Sequence, residues 1–275
     1  MYLANARYID LAGVDSWKDE EGDPNSSWIE VHLETTIVIV VRMVSSRVQS
    51  TLQFKTRPET TDAKVVDEVV KRNVYEHKKF GFLLSSCPVW LDLGANIGTF
   101  SCLASSRGSR VVAFEPEPEN FSLLQENVAT NKSNVLCIPH GVVAGKSGTL
   151  DLYVCGGDYN KYRHTIFKKR GRRAIQIQVE NFMSVLKEHR PNGIKIDIEG
   201  AEIEMLESVK KWPGHVTHIV FEYSFDIDPS IARFKAIIDK LSEDFDVHHR
   251  KVDWTAEKYL FWPAALIAYA KRKNR

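Results

Sequence analysis

Leu91-Asp92-Leu93-Gly94-Ala95-Asn96-Ile97-Gly98 is the stretch that decides the fold of this chain. A short apolar run, Val89–Leu93, ends there in a glycine, and the helix-compatible segment Thr99–Ser105 follows at once. A strand that passes through a glycine loop into a helix opens a βαβ unit, and ligands of open α/β sheets bind at that carboxyl edge. Glycine carries no Cβ and accepts positive φ, so Gly94 and Gly98 permit a tight turn and a close approach to a ligand. The two glycines stand four positions apart, which is not the G-x-G-x-x-G spacing that presents a helix end to a pyrophosphate.

Strands and helices alternate on either side of this loop. Val111–Glu115 reads as the next strand, ended by Pro116 and Pro118, and Phe121–Thr130 as the next helix. Val135–Pro139, Ile194–Ile198 and His218–Glu222 read as further strands, with a helical stretch, Glu202–Lys211, between the last two. A late helix, Ile231–Leu241, and a last strand, Ala264–Ala270, complete the series. This pattern predicts an α/β fold with a doubly wound, mostly parallel, Rossmann-like sheet. Gly141–His189 is an insertion in which Thr149–Val154 and Ile175–Val179 alternate apolar with polar residues, as a half-exposed β-hairpin would. From Asp62 to Phe82 the apolar residues recur at helical spacing, which predicts one leading helix. Residues 1–60 form an N-terminal β-rich extension or cap, and 61–275 the main domain; Ser16–Ser27 reads as a loop and Trp28–Val44 as a strand or hairpin.

Composition narrows the function classes. The chain has 275 residues, 43% of them hydrophobic, enough for a sizeable core. Lys plus Arg (37) balances Asp plus Glu (36), so global charge points to neither a nucleic-acid nor a membrane partner. The longest apolar run, Ile37–Val41, is too short for a membrane span, and Met1–Val14 lacks the pattern of a secretory signal. A cytoplasmic location is the resulting expectation. Cys87, Cys102, Cys137 and Cys155 show no CxxC spacing and read as small hydrophobes.

The glycine spacing disfavours a nicotinamide-dependent dehydrogenase and suits S-adenosyl-L-methionine, which has no phosphate and need only lay its methionine portion along the loop. Asp92 is placed to orient the amino end of such a ligand, directly or through water. Glu115 lies at the end of the next strand, 21 residues beyond Gly94, where a carboxylate can accept both ribose hydroxyl hydrogens. The plain alternative is that Glu115 caps the following helix with Pro116 at its start. Pro139-His140-Gly141 follows the third strand, where its backbone would border an adenine.

Ile194-Lys195-Ile196-Asp197-Ile198-Glu199-Gly200-Ala201-Glu202 is the second informative segment. Strand alternation puts Lys195, Asp197 and Glu199 on one side of the pleat, where three charges are costly to bury unless paired or used. A Lys195–Asp197 or Lys195–Glu199 pair that merely holds the strand end is the structural alternative.

DLGANIG at 92–98, FEPEPENFSLLQENV at 114–128 and KIDIEGAE at 195–202 together resemble the FkbM family of methyltransferases. GVVAGKSGTLDLYV (141–154) and VENFMSVL (179–186) follow that family's order, so that the resemblance runs from about Asp67 to Glu222. It implies a class I methyltransferase fold, whose sheet ends in an antiparallel strand that Ala264–Ala270 would fill. It also implies O-methylation of a sugar, glycan or small hydroxylated metabolite, with Asp92, Gly94, Asn96 and Gly98 at the methionine part, Glu115 at the ribose and Asp197 beside the transferring methyl.

A hydroxyl nucleophile profits from a general base. Asp197 and Glu199 come first, with Glu222 at the end of the next strand; His140 and His164 are alternatives. These carboxylates could instead hold a divalent cation, although no spacing demands a metal. The run Lys168-Lys169-Arg170-Gly171-Arg172-Arg173, with Tyr159, Tyr162 and Arg163 upstream, suits an anionic acceptor or a solvated turn equally. RNA ribose or cap methylation is a competing activity, and the even charge balance speaks against it. A methyltransferase-like binding module without catalysis would show a damaged loop, whereas Gly94, Gly98 and Glu115 are intact.

Overall fold

A computed structural model describes residues 14–18, 26–33, 37–44, 47–154, 164–166, 173–225, 227–249 and 265–274. Its centre is a seven-stranded sheet: β5 (Val89–Leu93), β6 (Arg110–Phe114), β7 (Val135–Ile138), β11 (Gly193–Ile196), β12 (His218–Ser224), β13 (Phe245–His249) and β14 (Ala265–Arg272). They lie in the order β13-β14-β12-β11-β5-β6-β7. β5, β6, β7, β11 and β12 are mutually parallel, and β14 runs antiparallel to both its neighbours, so the expected α/β architecture with an antiparallel closing strand is present. β5 is covered on both faces, which is why Val89-Trp90-Leu91-Asp92-Leu93 reads as a nearly continuous apolar run.

The helices that flank the sheet are α2 (Thr99–Ser106), α3 (Pro118–Thr130), α4 (Phe182–His189), α5 (Ala201–Ser208) and α6 (Ile231–Leu241). The main core lies against β11 and β12, with Phe182, Trp212, Phe221, Tyr223 and Phe234 among its large members. A second core under α2 receives Val38 and Val40 of β3 (Ile37–Val44) and Leu52 and Phe54 of β4 (Arg47–Lys55). These four are cross-strand partners, Val38 with Phe54 and Val40 with Leu52. With β1 (Val14–Lys18) and β2 (Ser26–Leu33), β3 and β4 form a four-stranded antiparallel sheet. The expected loop at Ser16–Ser27 thus has strand at both ends, Ser16–Lys18 and Ser26–Ser27, and residues 19–25 lie outside the described ones. Side-chain amides dock β4 on α3. Asn127 Oδ1 accepts from the Lys55 N–H at 2.7 Å, and Asn131 both accepts from and donates to the Gln53 backbone at 2.8 and 2.7 Å.

Several expectations need correction. The single helix over Asp62–Phe82 is instead a short α1 (Asp62–Val66) that widens into a π-helical turn (Asp67–Lys71) and stops. Asn73 then takes a left-handed φ of 51°, which no helix continues through. The insertion is a three-stranded sheet rather than a lone hairpin: β9 (Gly148–Val154) pairs antiparallel with β10 (Arg173–Asn181), and β8 (Gly141–Val143) joins β10 in parallel. β13 was not expected, because Phe245-Asp246-Val247-His248-His249 buries only Phe245 and shows no apolar run. The strand expected at Ile194–Ile198 runs over Gly193–Ile196, so Asp197 and Glu199 lie beyond its end; Asp197 still meets Lys195 on one side, at 3.6 Å, whereas the chain turns at Glu199 with φ 51°. Cys87, Cys102 and Cys137 are free thiols, the first two buried; Cys155 lies outside the described residues.

Gly193 opens β11 directly beneath Trp90, which is fully buried. A Cβ at Gly193 would sit 2.6 Å from the indole ring. Gly193→Ala is expected to cost about 1–3 kcal/mol through overpacking, seen as a lower thermal midpoint by differential scanning calorimetry.

Candidate active site

The glycine loop and the ends of β6, β11 and β12 surround one cleft of about 470 Å³. The Gly94 and Ala95 N–H groups both donate to the Phe114 carbonyl, at 3.1 and 3.0 Å, which fastens the loop to the end of β6. Gly94 has φ 77°, and a Cβ there would stand 1.9 Å from the Asp197 carbonyl oxygen. Its missing side chain therefore makes room for the backbone at Asp197. Gly98 has φ 87° and leads into α2; a Cβ there would meet Leu124 of α3 at 2.7 Å. The close approach at Gly98 is to a helix, and Gly98 does not line the cleft.

Glu115 is 5% exposed and does line the cleft. Its Oε2 accepts the Asn96 N–H at 2.7 Å and its Oε1 the Glu117 N–H at 2.9 Å, so each oxygen keeps a further acceptor site. Burial is the main cause that pushes its carboxyl up to about 7, against the pull of those two backbone donors. The plain capping alternative fails. Glu117 is the N-cap of α3, accepting the Asn120 N–H, and Pro118 rather than Pro116 stands at its start. Pro116, His140 and Gly141 border the cleft on the same side. His140 Nδ1 lies 2.6 Å from Glu180 Oε1, and Gly141 opens β8.

The polar atoms of this wall indicate a ligand. Thr61 Oγ1, Asn96 Oδ1 and Thr99 Oγ1 are buried without a hydrogen-bond partner among the described residues, and all three residues line the cleft. An unsatisfied buried group costs about 1–3 kcal/mol, a penalty that a polar ligand lifts. These groups and the open oxygens of Glu115 fit the amino-acid and ribose parts of S-adenosylmethionine.

The ends of β5 and β11 are built around Lys195, which is 3% exposed. Its Nζ donates to the Gly94 carbonyl at 2.7 Å and lies 3.2 Å from Asp92 Oδ1 and 3.6 Å from Asp197 Oδ2. Burial opposes the ammonium charge, but Asp92 and Asp197 outweigh it and hold the pKa above the ordinary lysine value. Asp92 is fully buried, accepts from Ser101 Oγ at 2.7 Å and is not part of the cleft wall. Asp92 is therefore set back from the cleft, its carboxylate turned to Lys195, because a buried ammonium requires a counter-charge. Asp197 Oδ2 also accepts from Tyr75 Oη at 2.9 Å. Tyr75 escaped sequence reading: it stands 122 positions from Asp197, on a segment read as continuous helix.

Asp197, Glu199 and Glu222 all border the cleft. Glu199 has φ 51°, and its carbonyl accepts the Thr165 hydroxyl at 2.7 Å, which ties the insertion to this loop. Glu222 is pushed up to about 8, first by burial and then by the charges of Asp197 and Glu202. His164 also lines the cleft, while Tyr159, Tyr162, Arg163 and Lys168–Arg172 lie outside the described residues; Arg173 is exposed at the start of β10. No group of three or more potential metal ligands is gathered among the described residues. Nor is any helix among them long and apolar enough to cross a membrane.

The raised Glu222 value fixes a sign. A carboxyl whose folded pKa lies above its unfolded one binds more protons when folded, so it destabilises the fold as pH rises from about 4.5 to 8. Glu222→Gln, which stays neutral, should match the wild type in thermal midpoint near pH 4 and exceed it increasingly towards pH 8. A constant difference across that window in parallel melts would contradict it.

Known proteins resemble this chain. The methyltransferase FkbM domain family matches residues 92–249, more than half of the chain. The hexuronic acid methyltransferase AglP of Haloferax volcanii is 28% identical over 171 residues, covering 59% of this chain and 70% of that one. The methyltransferase sdnD of Sordaria araneosa is 24% identical over 211 residues, covering 64% and 80% respectively. Among solved structures, the fibrillarin pre-rRNA processing protein of Methanococcus jannaschii aligns at 13% identity with a TM-score of 0.48, over 95% of this chain and 99% of that one. By the family match the chain belongs to the FkbM methyltransferase domain family, and its methyl donor is S-adenosylmethionine.

Proposed function

We propose that this methyltransferase acts on oxygen, transferring the methyl group to a hydroxyl of a sugar, a glycan or a small metabolite, with Asp197 as the general base. The observation that carries the proposal is the setting of Asp197. Its side chain is 26% exposed at the cleft, fixed on one oxygen by Tyr75 and Lys195. A neutral hydroxyl gains nucleophilicity as its proton passes to a positioned carboxylate. The bound donor supplies an electrophilic methyl on a sulfonium. Gly94 and Asn96 would lie along its methionine part, Glu115 would accept from the ribose hydroxyls, and Pro116, His140 and Gly141 would border its adenine. Asp92 and Gly98 act behind this surface, through Lys195 and through the packing of α2 on α3.

Environment divides the remaining carboxyls between roles. Glu222, pushed up to about 8, keeps its proton at neutral pH and can donate to the acceptor oxygen, while Asp197 remains the acceptor of its proton. Glu199 would border the acceptor on the insertion side. The relative AglP, named for a hexuronic acid, supports a sugar acceptor.

Calorimetric titration with S-adenosylmethionine tests the donor site: Glu115→Ala should weaken binding by roughly tenfold or more, about 1.4 kcal/mol or above. A screen of glycans, hydroxylated metabolites and RNA with radiolabelled donor tests the acceptor class. Asp197→Ala should abolish turnover at saturating donor, and near-normal turnover in that variant would remove Asp197 from the role of base.

A further inference from the structure

Between Asp92 and the cleft stands a row of charges whose balance is uneven. Asp92 and Asp197 carry two negative charges against the one positive charge of Lys195. The ammonium is drawn inward: its hydrogen bond goes to the Gly94 carbonyl at 2.7 Å, and it lies nearer to Asp92 (3.2 Å) than to Asp197 (3.6 Å). Asp197 therefore faces the cleft with much of its charge uncompensated. On its other side stands Tyr75, a neutral donor at 2.9 Å that orients the carboxylate without cancelling its charge.

Tyr75 is held for this task. It is 5% exposed, its ring meets Phe100 edge-on with centroids 5.4 Å apart, and Lys195 Nζ lies 5.6 Å from its ring centre. The adjoining Val74 carbonyl accepts from Tyr269 Oη, which pins the backbone beside it. Burial and the Asp197 carboxylate keep the phenol protonated, hence a donor throughout the neutral range. Glu222 adds little charge there, since it retains its own proton.

A donor laid from Gly94 to Glu115, as proposed above, would bring its sulfonium into the cleft that Asp197 borders, and the Asp197 carbonyl packs directly against Gly94. The sulfur is positively charged before transfer and neutral afterwards. We infer that Tyr75 is a positioning residue that aims Asp197 at the sulfur, so that the site holds the sulfonium donor more tightly than the neutral thioether product. The inference rests on the donor site proposed above. In a cleft of reduced dielectric the lost attraction favours release of the product once the charge is gone.

The test needs no acceptor. Titration calorimetry would compare the wild type, Tyr75→Phe, Asp197→Asn and the double variant with three ligands: S-adenosylmethionine, S-adenosylhomocysteine and sinefungin, in which a carbon bearing an ammonium replaces the methylated sulfur. Tyr75→Phe and Asp197→Asn should each weaken the two cationic ligands by roughly five- to tenfold and leave S-adenosylhomocysteine within about twofold. The double variant should be no worse than Asp197→Asn alone, since the phenol acts through the carboxylate. Equal weakening of all three ligands, additive losses in the double variant, or no change would each overturn the inference. Should Tyr75→Phe fail to fold, Asp197→Asn still decides whether the site reads charge. A wild type that binds neither donor nor product would instead overturn the donor site itself.

Discussion

A buried ammonium between two carboxylates organises this molecule. Lys195 on β11 reaches across to β5, where Asp92 meets it, and onward to Asp197 at the end of its own strand. An isolated charge in such a place would cost several kcal/mol, so the three side chains are held to one another. Because Nζ also donates to the Gly94 carbonyl, the same arrangement sets the path of the glycine loop. The loop can come so near only because Gly94 lacks a Cβ, with the Asp197 carbonyl in the space one would take. The glycine loop and Asp197 are thus a single piece of structure, joined through main chain and charge.

Burial then separates carboxyl groups that are alike in sequence. Glu115 and Glu222 are raised to about 7 and about 8, each first by desolvation, although they face different parts of the cleft. Glu202, raised to about 7 by burial, spends its two oxygens on the Gly200 and Ser224 N–H groups and braces the turn between β11 and α5. Which carboxyl opens on the cleft and which braces a turn is decided by what surrounds each and not by residue type.

Much of the sheet was legible because parallel strands buried on both faces must be apolar throughout, and β5, β6 and β12 satisfy that rule. β13 was not, since a strand with one buried residue in five carries no such pattern. The leading helix was overread for the opposite reason. Val65, Val66, Val69 and Val70 keep helical spacing, but the backbone must turn at Asn73 to deliver Tyr75 to Asp197.

What the sequence determined by itself is the set of strand tips and the residues on them: Gly94, Glu115, Asp197 and Glu222 were all named from local pattern, and all border one cleft. Only the tertiary structure decided which of the neighbouring charges face that cleft and which face inward. Asp92 looks as exposed to a ligand as Glu115 in one dimension, yet it is turned to Lys195; Tyr75 is remote in the chain, yet it touches the Asp197 carboxylate. The reason is that strand periodicity is local, whereas the neutralisation of a buried charge is settled by whichever groups the folded chain brings within a few ångströms of it.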